Sequence, residues 1–185
     1  FVFTDKEIRE WNLEEEMVLD DSEEQALLQY VSREAARTAM NLLVKRDYAE
    51  AELYRKLRDK GYSEFFAGKG IEYVSAYHYL DDARYARQMI GSRKDTMSRK
   101  MMVSRMRQKG LSDEVIQEAM EEADWTDEMG LTREIRRRFS SAEQIESLTD
   151  KDRQKLIQSL MRKGYGYSDI QHVIRHLLEK DTIWN

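Results

Sequence analysis

The 185-residue chain is 41% apolar and 36% charged, and it contains eight Gly, no Pro and no Cys. That apolar content suffices for a buried core, while the charge content and the scarcity of turn residues favour solvent-rich α-helices over sandwiches or barrels. Without Cys there is no disulfide framework, thiolate metal site or Cys nucleophile, and a reducing compartment is expected. No apolar run approaches the ~18 residues of a membrane span, so the expectation is a soluble, cytoplasmic protein without a membrane partner.

The net charge of −5 argues at first against a nucleic-acid partner, but the charge is unevenly spread. Residues 1–34 hold eleven acidic against three basic residues, a local charge of −8. In this acidic segment Thr4-x-x-Glu7 is expected to cap a short helix, and Ser22-x-x-Gln25 a long one. With no Met at position 1, a further segment is expected to precede the chain.

From residue 35 onward one pattern recurs three times. Ala39/Leu43/Arg46, Ala86/Ile90/Arg93 and Leu131/Ile135/Arg138 each place two apolar residues four apart and an Arg three further on, which reads as a first helix. A second helix follows in Leu53-x-x-x-Leu57-x-x-Lys60-Gly61, Met102-x-x-x-Met106-x-x-Lys109-Gly110 and Leu156-x-x-x-Leu160-x-x-Lys163-Gly164. The i, i+4 apolar pair marks the buried face, Lys suits the negative helix end, and Gly tolerates the left-handed conformation that stops the helix. Tyr62-Ser63 and Leu111-Ser112 then start a third helix, with Ser as N-cap; Tyr165-Gly166-Tyr167-Ser168 does the same with two residues inserted, Ser168-x-x-Gln171 matching a capping box. The glycines are 49 and 54 residues apart, so the period is about fifty.

The expected architecture is all-α: an elongated, curved array of three tandem three-helix repeats, since such small units bury little surface alone. Its divisions are an acidic segment at 1–34, repeat 1 at 35–80, repeat 2 at 81–124 and repeat 3 at 125–185. The apolar columns are core, so function must lie elsewhere.

The chemistry on offer is sparse. His172 and His176 stand i, i+4, yet no Glu follows the first and the remaining His78 is remote, so surface or helix-end roles are expected and no metal. Gly68-x-Gly70 and Gly164-x-Gly166 lack the strand and Lys-Ser/Thr of a phosphate loop; Gly68 and Gly70 fall inside a helix and are expected to allow close helix approach. Asp81 and Asp82 are expected to cap a helix. No convergent base, nucleophile and stabiliser is recognisable, and neither an enzymatic activity nor a cofactor is expected.

Residues 84–110 are the exception, with nine basic residues against Asp95 alone. The excess is one-sided, and such density suits phosphates or an acidic protein surface. The candidate contact residues for a partner or DNA are Arg84, Arg87, Arg93, Lys94, Arg99, Lys100, Arg105 and Arg107; Lys60, Lys109 and Lys163 are expected to be helix-end cations.

The Lys-Gly-Tyr/Leu-Ser turns, the block Tyr79-Leu80-Asp81-Asp82-Ala83-Arg84-Tyr85-Ala86 and the stretch Arg46 to Leu53 resemble the RecX family, regulators of the RecA recombinase, over about residues 35–180. The chain departs from that pattern at Arg46-Asp47-Tyr48-Ala49 and at Lys94-Asp95-Thr96-Met97, both near loops. The resemblance implies a monomer of tandem three-helix repeats that binds the RecA–single-stranded-DNA filament and suppresses its ATPase and strand exchange. Cytoplasmic DNA repair, homologous recombination and the SOS response are the implied context. The alternative reading is an architectural protein that binds single- or double-stranded DNA directly through the basic stripe of repeat 2.

Overall fold

The computed structural model describes residue 3 and residues 5–179, with eleven α-helices and no strand among them. They are α1 (Asp5–Glu10), α2 (Asp21–Leu43), α3 (Glu50–Asp59), α4 (Glu64–Ala76), α5 (Asp82–Arg93), α6 (Arg99–Lys109), α7 (Asp113–Glu122), α8 (Glu128–Arg136), α9 (Ala142–Glu146), α10 (Asp150–Arg162) and α11 (Tyr167–Glu179). The chain is therefore all-α, and three three-helix repeats follow one another as α2–α4, α5–α7 and α8, α10, α11. The extra helix α9 has five residues, the same number by which the second glycine interval exceeds the first. By compactness the chain divides into two units, one up to Tyr85 and one from Ala86 onward.

The second helix of each repeat stops as its sequence dictates. Gly61, Gly110 and Gly164 have φ of 91°, 93° and 89°. In each case the glycine N–H donates to the carbonyl three residues back, and the next N–H reaches back five, from Tyr62 to Leu57, Leu111 to Met106 and Tyr165 to Leu160. This satisfies carbonyls that a helix end leaves open, and it buries the residue after each glycine. Tyr62, Leu111 and Tyr165 are 6%, 5% and 3% exposed, so all three act as core plugs.

Those plugs align the third turn without an insertion. The N-cap position is taken by Ser63 in repeat 1 and Ser112 in repeat 2, whose side chains accept from Phe66 N and Val115 N. In repeat 3 the equivalent residue is Gly166: its carbonyl accepts from Ile170 N, and α11 begins at Tyr167. Ser168 thus lies inside the helix, correcting the expected capping box; Gly is itself an acceptable N-cap, so the hydroxyl was dispensable.

A similar correction applies at α2. Its N-cap is Asp20, which accepts from Ser22 N and Glu23 N, while the Glu23 carboxylate takes the Asp20 N–H. The box is Asp20-x-x-Glu23, two residues before the expected Ser22. Thr4, expected to cap α1, lies outside the described residues.

The core of the first unit joins Val31, Ala35 and Ala39 of α2 with Leu53 and Leu57 of α3 and Ala67, Ile71 and Val74 of α4. Close approach of α4 to α2 depends on Gly70: a Cβ there would lie 3.0 Å from Leu57 Cδ1 and 3.1 Å from the Ala35 carbonyl oxygen. Gly68 differs from the expectation, since a Cβ would meet nothing within 4 Å. Replacing Gly68 with Ala is therefore expected to stabilise the first unit by about 0.5–1 kcal/mol, because only unfolded-state entropy changes. Urea denaturation checks this; a loss of stability would show that Gly68 makes an approach its surroundings do not reveal.

In the second unit, Leu131, Ile135, Ile145, Leu156, Leu160, Tyr165, Ile170 and Leu177 form one cluster. Repeat 2 contributes Ala86, Ile90, Met102, Met106, Ile116 and Met120, each at most 5% exposed. Expected core and observed core coincide on the first- and second-helix columns, apart from Leu43, which is half-buried.

Candidate functional site

The polarised stretch folds as α5, a turn and α6, and its cations meet different fates. Arg84 belongs to the first unit, where its guanidinium is 4.0 Å from Asp47. The remaining seven candidates belong to the second. Arg87 pairs with Glu122 at 3.5 Å, and both side chains are about half exposed, so this link is weak and screened.

Lys94 does something else. Its ammonium donates to the Ala123 carbonyl at 2.6 Å and to that of Asp124 at 3.3 Å. These groups lie just past the end of α7, where open carbonyls and the helix dipole favour a cation. Lys94 is thus engaged in closing α7.

Arg99, Lys100 and Arg107 lie on α6 at spacings that share one helical face with Val103 and Ser104. They line an open groove of about 780 Å³, whose far wall includes Asp127 and Gly164. Arg99 and Lys100 are exposed, while Arg107 Nε donates to Asp113 at 2.8 Å from a side chain that is 61% exposed. Arg93 and Arg105 flank a second recess of about 500 Å³ with Met89, Ser92 and Lys109. Five of the eight candidates therefore stand on two recesses rather than one stripe, Arg99, Lys100 and Arg107 on the first and Arg93 and Arg105 on the second, while Arg84, Arg87 and Lys94 are engaged elsewhere.

What holds α6 in place was not read from the sequence. Ser98 is fully buried; its hydroxyl caps the helix by accepting from Met101 N and donates to the Lys163 carbonyl at 2.7 Å. The Asp127 carboxylate accepts the Arg99 N–H at 2.7 Å and the Trp125 indole N–H at 2.9 Å. The same device occurs one repeat earlier: Asp82 accepts the Glu50 N–H at 2.9 Å at the start of α3, while Asp81 caps its own helix through Arg84 N. In both cases the first helix of one repeat closes the N-terminus of the second helix of the repeat before it. Burial pushes the Asp82 carboxyl up, against the lowering effect of the Glu50 N–H. The only available signal was an Asp at the start of each following helix, and an Asp there reads equally well as a cap of its own helix.

Other cations are structural. Arg46 pairs with the buried Glu52 at 3.0 Å and stacks on Tyr48, 3.7 Å from the ring centroid. Lys163 binds Glu134. Burial raises the Glu134 pKa, but the Lys163 hydrogen bond and the charges of Lys163, Arg137 and Arg138 outweigh it, leaving the carboxyl below its ordinary value. His172 and His176 stack with ring centroids 6.4 Å apart. Among the described residues no group of three or more His, Cys, Asp or Glu could hold a metal, and no helix is long and apolar enough to cross a membrane.

Comparison with known proteins gives these repeats a relationship. Family models described as the first, second and third three-helix domains of RecX match residues 35–67, 81–120 and 131–174. The chain is 32% identical over 148 residues to Regulatory protein RecX of Clostridium botulinum (strain Eklund 17B / Type B), covering 79% of this chain and 68% of that one. It is 28% identical over 151 residues to Regulatory protein RecX of Vibrio campbellii (strain ATCC BAA-1116), covering 80% and 94%. A crystal structure of regulatory protein RecX shares the fold with a TM-score of 0.66 at 19% identity, covering 90% of this chain and 83% of that one. The crystal structure of RecX from Lactobacillus salivarius gives 0.65 at 21% identity, over 80% and 97%. With all three domains matched in order on the helices described above, the chain belongs to the RecX family of regulatory proteins.

Proposed function

We propose that the chain is a non-enzymatic cytoplasmic regulator of homologous recombination and DNA repair. It binds the RecA–single-stranded-DNA filament and, mainly, inhibits its ATPase and strand exchange. The observation that carries this reading is the exposed α6 face with Arg99, Lys100 and Arg107 on one groove, in a chain whose relatives are named regulatory proteins. A ligand shifts a filament equilibrium only through different affinities for its states, so its contacts must depend on how neighbouring protomers are arranged. Tandem repeats supply several linked contact modules for that purpose.

RecA ATPase on single-stranded DNA tests the proposal. Charge reversal by Arg99→Glu with Lys100→Glu is expected to raise the half-inhibitory concentration by roughly tenfold or more, since two favourable contacts become repulsive. Both side chains are exposed and the Arg99 interaction with Asp127 uses the backbone N–H, so folding should be unaffected. Lys94 is a poor choice for reversal because its loss would open the end of α7. Unchanged inhibition by the double variant would remove this face from the mechanism, and no inhibition by the parent protein would remove the mechanism.

The exposed cations of α6 also suit direct binding of DNA phosphates. Binding to an oligonucleotide that weakens steeply with salt, and equally with or without RecA, would favour that second reading.

A further inference from the structure

The first unit carries a surface that the basic stretch does not explain. An open groove of about 610 Å³ runs between α2 and α4. Its apolar lining comes from Ala36 and Met40 on α2 and from Tyr73 and Ala76 on α4. Small Ala side chains let another backbone come close. Further exposed aromatics stand along α4 and at its C-cap, where Phe65, Tyr73 and Tyr77 are 57%, 45% and 58% exposed, and the last two pack with centroids 4.9 Å apart. Contiguous exposed apolar surface of this kind marks a binding site more often than a solvent face.

The charges of the groove choose its occupant. Arg33 and Arg37, four residues apart, stand on the α2 bank and Lys69 on the α4 bank. Lys69 pairs with Glu72, which also lines the groove, in an exposed i, i+3 pair that exchanges readily for an incoming carboxylate, and Arg37, 71% exposed, reaches the largely covered Glu34 while keeping part of its guanidinium open to a partner. A few separate cations around an apolar floor fit scattered carboxylates on an apolar scaffold better than a continuous phosphate backbone.

We infer that the α2–α4 groove docks an acidic amphipathic helix of a protein partner, with aliphatic side chains on Ala36, Met40 and Tyr73 and carboxylates on Arg33, Arg37 and Lys69. From Arg33 to Met40 the floor runs about 10 Å at 1.5 Å per residue, so it takes about two turns of the incoming helix. The occupant then presents apolar anchors at i, i+3 or i+4 and i+7, with Asp or Glu flanking them on both sides, because the cations stand on both banks. This surface is independent of the α6 face and of the filament reading.

The test uses the full chain and three fluorescein-labelled probes: a synthetic sixteen-residue helix with Leu anchors and Glu flanks, the same helix with Lys for Glu, and an oligo-dT strand. Anisotropy is expected to show binding of the Glu helix at least about tenfold tighter than the Lys helix, with no displacement of the Glu helix by excess oligo-dT whether or not the strand itself binds elsewhere on the chain. In Arg33→Glu with Arg37→Glu the preference should reverse toward the Lys helix, with unchanged thermal unfolding. Tyr73→Ala should weaken both helices together. Equal binding of the Glu and Lys helices, indifference to the Arg reversal, or competition by oligo-dT would overturn the inference. So would a dimer of the parent protein that the Arg reversal dissociates, since that assigns the groove to a second copy. Filament inhibition is read separately through Arg99 and Lys100, so failure of one proposal leaves the other standing.

Discussion

Replacing Gly164 with Ala is expected to destabilise the second unit by about 3 kcal/mol, far more than an ordinary Gly→Ala change. Gly164 has φ of +89°, where an L-residue costs roughly 1–2 kcal/mol. A Cβ would also lie 2.5 Å from Ser98 Oγ and 3.3 Å from Lys100 Cβ. Ser98 cannot step aside freely, because its hydroxyl is held by Met101 N and by the Lys163 carbonyl. Either the turn shifts or the buried hydroxyl loses a bond, which adds about 1–2 kcal/mol. Urea denaturation followed by Trp125 fluorescence, with Trp11 and Trp184 replaced by Phe, reports on this unit. The double variant with Ser98→Ala should lose less than the sum of the two single changes, since the clash and the lost bond share one atom. A loss under about 1 kcal/mol for Gly164→Ala would mean that the turn is not docked on the start of α6.

High pH should expose the second large effect. The Tyr165 hydroxyl is buried without a hydrogen-bond partner, and its pKa is pushed up to about 12, first by burial and then by the negative charges of Glu134 and Asp127. Its folded pKa therefore exceeds the unfolded value near 10, so its contribution is fully present below pH 10 and is lost as pH rises toward 12. Two pH units correspond to roughly 2–3 kcal/mol. Tyr165→Phe should abolish this part of the alkaline loss. It should also stabilise the unit at neutral pH by about 1 kcal/mol, because the orphaned hydroxyl disappears while the ring remains.

Tyr30 offers an internal control. Its pKa is also raised to about 12, chiefly by its hydrogen bond to Glu7, and it lies in the first unit beside Trp11, with ring centroids 5.2 Å apart. In Tyr165→Phe the alkaline transition seen through Trp11 should persist while that seen through Trp125 moves up. Equal movement of both would show that the transition is not governed by Tyr165.

Much of the fold was legible because its signals are local. An apolar pair four residues apart, then Lys-Gly, specifies a helix and its left-handed stop within nine residues, and it does so three times. The corrections to N-caps at Asp20 and Gly166 arose where two adjacent residues were both chemically suitable and only the register of the helix chose between them. The close-approach glycine followed the same logic: Gly68 and Gly70 look alike in sequence, but only Gly70 faces the α2 backbone.

The candidate surface was less legible. Composition identified a cation-rich stretch, yet it could not say which cations are consumed by the fold. Lys94 finds its carbonyls 29 residues away, and the Arg99 N–H finds Asp127 at a separation of 28. The groove of the first unit left a trace in sequence, Phe65, Lys69, Tyr73 and Tyr77 at intervals of four, but such a stripe reads equally well as core. By itself the sequence determined the three helical repeats, their stop signals and the family, because these rest on bonds and periodicities within a few residues. Only the tertiary structure decided which charges stay available to a partner and which apolar face stays open, because each depends on groups brought together across about thirty residues of chain.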